Sequence, residues 1–137
     1  MYEYRCKVVH IVDGDTVDVD IDLGFGVWMK KQRIRLYGID TPESRTRDLE
    51  EKKYGNAAKD FLTGMLDDEA GITLKTYKDK EGKFGRILGE LWRTTNYADQ
   101  SINEYMIEKH HAVRYMGQSK ESIEEDHIKN RELVTLL

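Results

Sequence analysis

The stretch Asp13-Gly14-Asp15-Thr16-Val17-Asp18-Val19-Asp20-Ile21, written DGDTVDVDI, decides the fold. From Thr16 the residues alternate strictly. Val17, Val19 and Ile21 share one face and Asp18 and Asp20 the other, the period of a half-buried strand. Asp18, Asp20 and Asp22 on the outer positions are expected to keep that strand soluble. The run before it, YRCKVVHIV from Tyr4 to Val12, is rich in β-branched residues and reads as a partner strand. Asp13-Gly14 between them predicts a two-residue hairpin turn of the primed type. Lys31 to Tyr37 alternates again, with Ile34 and Leu36 inward and Arg33 and Arg35 outward. LGFGVWMK, residues 23–30, then forms the tip of a second hairpin.

The third strand runs into IRLYGIDTPE, residues 34–43, which holds the only proline of the chain. Proline fixes φ and drives the preceding residue out of the helical region, so Thr41-Pro42 is a stiff extended turn. Beyond it the period becomes helical between Asp48 and Asp68. Ala58, Phe61, Leu62, Met65 and Leu66 make an apolar stripe, and the helix is expected to start near Tyr54-Gly55. Ile72 to Tyr77 and Arg86 to Arg93 are two further strands, joined by the polar loop KDKEGKFG. Ser101 with Glu104, and Ser122 with Glu125, are capping-box pairs that open two C-terminal helices, the first with Ile102, Tyr105 and Met106 on its apolar face. Five strands and about three helices predict an α+β protein, a five-stranded barrel of the OB type with helices packed on it.

At 137 residues the sequence suits one domain, 1–137. No apolar run approaches the roughly 20 residues of a membrane span, so no membrane association is expected. The first residues, MYEYRCKVVH, show no secretory signal, and a cytoplasmic location is the default expectation. The lone Cys6 excludes an internal disulfide and a multi-cysteine zinc site, and reads as a small buried hydrophobe. A net charge of -4 argues against an obligate nucleic-acid binder. Local sign matters more than net charge, however, and Lys30, Lys31, Arg33, Arg35, Arg45 and Arg47 gather around the proline turn.

Asp15 falls in register with Val17 and Val19, so its carboxylate faces the core, where a lone charge needs a partner. Antiparallel pairing of the second and third strands brings it to Asp40 and Glu43. Three oxygen ligands without cysteine suit Ca²⁺ or Mg²⁺. Arg35 and Arg86 add planar donors that match phosphate oxygens, and two arginines beside a cation site point to phosphodiester hydrolysis.

DGDTV at 13–17, RLYGIDTPE at 35–43 and KFGR at 83–86, in that order, resemble the staphylococcal-nuclease-like, or thermonuclease, family. The resemblance runs from about Val8 to Tyr115 and includes KKYGNAA and INEYMIEKHHA. It implies a five-stranded OB barrel and Ca²⁺-dependent cleavage of DNA and RNA, with Mg²⁺ or another divalent cation as alternative. It further implies Asp15, Asp40 and the Thr41 carbonyl as metal ligands, and Glu43 as the group that positions or deprotonates water. Arg35 and Arg86 would hold the phosphate, Asp13 would support the site, and Lys83, Phe84 and Tyr115 would contact substrate. Phe84 stands where family members often have tyrosine.

The second hairpin is longer than in the best-known secreted members. Its tip, with Leu23, Phe25, Val27 and Trp28, is expected to pack on the barrel, ahead of gripping substrate or a second subunit in a weak oligomer. Two other functions compete with a nuclease: a non-catalytic nucleic-acid-binding OB module, and a protein-interaction module using the 23–28 hairpin. His110-His111 are adjacent rather than a helical turn apart and read as structural. Trp92 and Tyr77 read as packing residues, and SKESIEEDHIKNRE as a solvated helix face.

Overall fold

The computed structural model describes residues 2–67, 71–77, 86–94, 100–134 and 136. The alternation of DGDTVDVDI is realised as β2 (Thr16–Asp22), in which Val17, Val19 and Ile21 are buried. β1 (Glu3–Asp13) pairs antiparallel with it, Asp13 opposite Thr16. β3 (Trp28–Leu36) continues the meander and ends where β2 begins, Arg35 opposite Thr16. The two-residue β4 (Ile39–Asp40) and helix α1 (Leu49–Leu66) follow. β5 (Ile72–Tyr77) and β6 (Ile87–Arg93) then close the barrel in the order β1-β2-β3-β6-β5, with β3 and β6 parallel. α2 (Ile102–Glu108), β7 (Val113–Arg114) and α3 (Lys120–Arg131) complete the described elements. A closed five-stranded barrel with three helices is the α+β, OB-type architecture that the alternation predicts. No helix among the described residues is long and apolar enough to cross a membrane.

The core is one cluster in which Ile34, Leu36, Leu74 and Leu91 from the barrel meet Ala58 and Leu62 of α1 and Ile102 and Met106 of α2. Each fully buried aliphatic side chain of this size contributes about 1.5–3 kcal/mol. Phe61 and Met65 pack against the cluster as the helical stripe predicts. Cys6 is buried in it, and burial pushes its thiol from 9.0 up to about 12, consistent with an inert hydrophobe.

Several local expectations are corrected. The first hairpin turns at Gly14-Asp15 rather than Asp13-Gly14, and neither residue has a positive φ, so the turn is not primed. A register shift between Ile11 and Asp13 takes up the mismatch in twist. Glycine is required at 14 for space, because a Cβ there would lie 2.9 Å from the Ala58 Cβ and 3.0 Å from the Thr41 hydroxyl. Asp18 is not solvated: it is buried, and Arg33 clasps it through two bonds of 2.9 and 3.2 Å. α1 begins at Leu49, more than a turn before Tyr54, because Asp48 caps the amides of Glu50 and Glu51. β3 begins at Trp28 rather than Lys31. Ser119, not Ser122, caps α3 and accepts from the Ser122 amide. The hairpin tip does not pack on the barrel: Leu23, Val27 and Met29 are exposed, and Phe25 is fully so at φ 55°. Trp28 alone is half-buried, with the ammonium groups of Lys7 and Lys30 over its ring at 5.0 and 5.5 Å from the centroid. His111 stacks on Phe61, Tyr77 stacks on Tyr37 at 4.1 Å, and Trp92 bonds Glu90, all structural contacts.

Two devices hold the proline turn against the barrel. β4 pairs with β7, Asp40 opposite Val113, and the Tyr115 amide donates to the Gly38 carbonyl. Asn103, buried on α2, donates to the carbonyls of Tyr37 and Gly89 and accepts from the Leu91 amide, tying the ends of β3 and β6 together. α1 supports the turn from behind. A Cβ built on Gly55 would overlap the Glu43 carbonyl, whereas one on Gly64 of the same helix meets open space. Gly64→Ala is therefore expected to stabilise by about 0.5–1 kcal/mol. Gly55→Ala should destabilise despite the same helical gain, because overpacking costs about 1–3 kcal/mol. Urea unfolding midpoints of the two variants check this, and a stabilised Gly55→Ala would disprove the close approach.

Candidate active site

The rims of the barrel strands and α3 enclose an open cavity of about 790 Å³. Arg35 organises one wall. Its Nη1 donates to the carbonyls of Leu36 at 3.2 Å and Ile39 at 3.0 Å, while Nη2 lies 3.5 Å from Asp15 Oδ2 and 3.3 Å from Asp40 Oδ1. Outward from the barrel as its strand parity predicts, Arg35 is nevertheless covered by the proline turn, with a side chain 14% exposed. The register that sets Thr16 beside Arg35 brings these groups together.

Asp15 is buried at the hairpin turn, as its sequence parity predicts. Its Oδ1 accepts from the Thr16 hydroxyl at 2.9 Å and its Oδ2 from the Thr41 amide at 3.2 Å. Burial raises the Asp15 carboxyl above its ordinary range; Arg35 opposes the rise, Asp40 adds to it, and the two hydrogen bonds oppose it. Glu43 lies on the same cavity, with no hydrogen bond or ion pair among the described residues. Its carboxyl is also raised, first by partial desolvation and then by Asp13, Asp15, Asp40 and Glu51. Asp13, Arg86 and Tyr115 line the cavity with them. The structure thus gathers Asp13, Asp15, Arg35, Asp40, Thr41, Glu43, Arg86 and Tyr115 on one cavity, whereas Lys83 and Phe84 lie outside the described residues.

The sequence reading missed His127. SKESIEEDHIKNRE carries no buried residue by whole-residue exposure, as a solvated helix predicts, yet His127 Nε2 lies 2.8 Å from Asp40 Oδ2. Lys120, Ile123, Glu124 and Arg131 face the same cavity. The one available signal was a histidine placed one turn after Ile123 on a helix otherwise charged. The basic cluster is also thinner than the sequence suggests, since Lys30 and Arg33 are paired with Asp20 and Asp18.

Among the described residues, no three Asp, Glu, His or Cys side chains are placed to chelate a metal by themselves. The donors present are two carboxylates, Asp15 and Asp40, beside the Thr41 backbone, an all-oxygen set suited to a hard cation that keeps much of its water. The mutual repulsion written into Asp15 and Glu43 is what such an ion would relieve. The residues fit a divalent cation in this sense.

A closed OB-type barrel thus carries clustered carboxylates, together with Arg35 and Arg86, on one cavity at its rim. A family model described as Staphylococcal nuclease homologue matches residues 33–133. The chain is 33% identical to the thermonuclease of Staphylococcus hyicus over 90 residues, 66% of this chain and 49% of that protein. It is 32% identical to protein ParB of Escherichia coli, over 82% of this chain and 58% of that protein. It is 25% identical to endonuclease YhcR of Bacillus subtilis, over 82% of this chain and 9% of that protein. The chain spans about half the length of the staphylococcal thermonucleases it matches. It belongs to the staphylococcal nuclease family.

Because the folded environment of Asp15 favours the neutral acid, the carboxylate is a source of instability at neutral pH. A raised carboxyl makes the folded state hold protons more tightly than the unfolded chain, so stability falls as pH rises from the ordinary carboxylate range through the raised value. Asp15→Asn is therefore expected to raise the unfolding midpoint at pH 7 in chelator. The gain should vanish at a pH low enough to protonate Asp15 in both states; a destabilised Asp15→Asn would mean that Arg35 outweighs burial.

Proposed function

We propose that the chain is a divalent-cation-dependent endonuclease, with Ca²⁺ the preferred ion and Mg²⁺ an alternative, hydrolysing phosphodiester bonds of DNA, with RNA as a second substrate. The observation that carries the reading is Arg35 bridging Asp15 and Asp40 on a cavity that also holds Glu43 and Arg86. The names of the thermonuclease and endonuclease relatives support it. So does the charge of the cavity: seven carboxylates face six arginine and lysine side chains among the described lining residues. A divalent ion turns that balance positive, the sign a nucleic acid needs. We take 1–137 as one OB-fold domain of the family.

Asp15, Asp40 and the Thr41 carbonyl would hold the ion, which when bound acidifies water and draws charge from a phosphate oxygen. Glu43 is the base. Its carboxylate oxygen takes the proton as the water oxygen forms its bond to phosphorus, and its raised affinity for protons suits that task. Arg35 and Arg86 donate to the non-bridging oxygens and stabilise the added charge. The bond to the leaving oxygen breaks, and that oxygen is protonated from solvent. Asp13 supports the turn, its Oδ1 accepting from the Gly14 amide. Tyr115, Lys83 and Phe84 are taken as substrate contacts. We place any weak self-association at the exposed tip 23–28.

Digestion of single-stranded DNA by the purified protein, with Ca²⁺, with Mg²⁺ and with chelator, tests the reading. Chelator should abolish cleavage. Glu43→Gln preserves shape and breaks no described bond, and should lower kcat on the order of 10²–10⁴-fold with the fold intact. Arg35→Ala should lose as much, with part of the loss structural. A wild type that retains the strand but cleaves with neither cation would instead be a nucleic-acid-binding module. Sedimentation of Phe25→Asp beside wild type tests the tip, where equal behaviour of a self-associating wild type and variant would remove it as the contact.

A further inference from the structure

We propose that His127 is a positioning residue for the cation site, acting through Asp40; the inference rests on the metal-dependent reading above. Asp40 lies on β4, where backbone pairing with Val113 fixes the main chain but leaves the carboxylate free to rotate. Its two oxygens are held by different partners: Arg35 Nη2 lies 3.3 Å from Oδ1, and His127 Nε2 lies 2.8 Å from Oδ2. A carboxylate only accepts, so Nε2 carries the proton whether the ring is neutral or charged, and the contact fixes the tautomer. Each carboxylate oxygen has two lone pairs, so an oxygen that accepts one hydrogen bond keeps another for an ion. Outer hydrogen bonds of this kind orient ligating carboxylates and remove the entropy of immobilising them on binding.

The placement of His127 is specific to this purpose. The helix that carries it has no buried residue, but the His127 side chain is 13% exposed and directed at Asp40. The helix has separate anchors elsewhere: Asn130 Nδ2 donates to the Ala112 carbonyl at 3.2 Å, and the Tyr54 hydroxyl to the Arg131 carbonyl at 3.4 Å. The helix thus has contacts besides His127 that hold it to the rest of the fold.

Calorimetric titration of the full chain with CaCl₂ tests this. His127→Ala should weaken Ca²⁺ binding about 10–100-fold. His127→Gln, whose amide N–H reaches to the same side, should recover most of the affinity. Asn130→Ala, which loosens the helix without touching Asp40, should leave it unchanged, and circular dichroism confirms that all three are folded. Unchanged or tighter binding by His127→Ala overturns the proposal, the latter because His127 would then compete with the ion. Equal losses in Asn130→Ala and His127→Ala also overturn it, because helix docking alone would then be responsible. Asp40→Asn separates the two levels. If it abolishes binding while His127→Ala does not weaken it, only the role of His127 fails. If wild type and Asp40→Asn bind alike, or neither binds, the metal reading fails and the role of His127 with it.

Discussion

The guanidinium of Arg35 is the contact on which the rest of the site depends. It sits where the end of β3 meets the turn between β1 and β2, and joins two carboxylates and three main-chain carbonyls, of Asp15, Leu36 and Ile39, that belong to different segments. Breaking a buried ion pair by removing one partner costs about 3–5 kcal/mol, and here the loss would also free the carbonyls that shape the proline turn. A lysine offers one point of charge and could not span these acceptors. The turn, the carboxylates and the fold of the barrel rim are therefore one unit, and the stability of the rim cannot be separated from the geometry of the site.

That unit is built with its charges in conflict. Asp15 is buried at the cost of its ionised form, Glu43 is surrounded by four other carboxylates, and Arg35 offsets only part of this. A chain selected for stability alone would replace one of the acids, as proteins do at positions without a function. Retaining all of them at one rim, on a backbone held by Asn103 and by the β4–β7 pair, is a concentration of unfavourable local choices of the kind found at functional sites.

Much of this was legible in the chain because the signals were periodic. Val17, Val19, Ile21, Ile34 and Leu36 announced a half-buried sheet, the same parity placed Asp15 inward, and antiparallel pairing of the second and third strands brought it to Asp40. Helical spacing gave the stripe of α1. What was not legible arises from contacts between distant segments. Gly14 and Gly55 looked like turn and helix-start residues, yet both are glycine because another backbone or side chain comes too close for a Cβ. Asp18 looked solvated because Arg33, which covers it, stands on another strand. Asn103 and His127 read in the sequence only as polar positions on their helices, and Tyr37 and Asp40, which they meet, lie 66 and 87 residues away.

The polar attachment of α3 has a consequence for how the molecule is assembled and how it opens. Closing a loop of the length between Asp40 and His127 costs roughly 4 kcal/mol of chain entropy, more than the roughly 1.5–3 kcal/mol of a charged hydrogen bond. The contact therefore cannot nucleate anything; it forms only after the barrel has already brought the two ends together. By the same reasoning it is the first to be given up. With no residue buried on the helix, local opening of α3 exposes little apolar surface, so it can swing away on the native side of the folding barrier while the barrel and the Arg35 clamp stay intact. One wall of the cavity thus rests on polar contacts at the surface, and the other on the buried core.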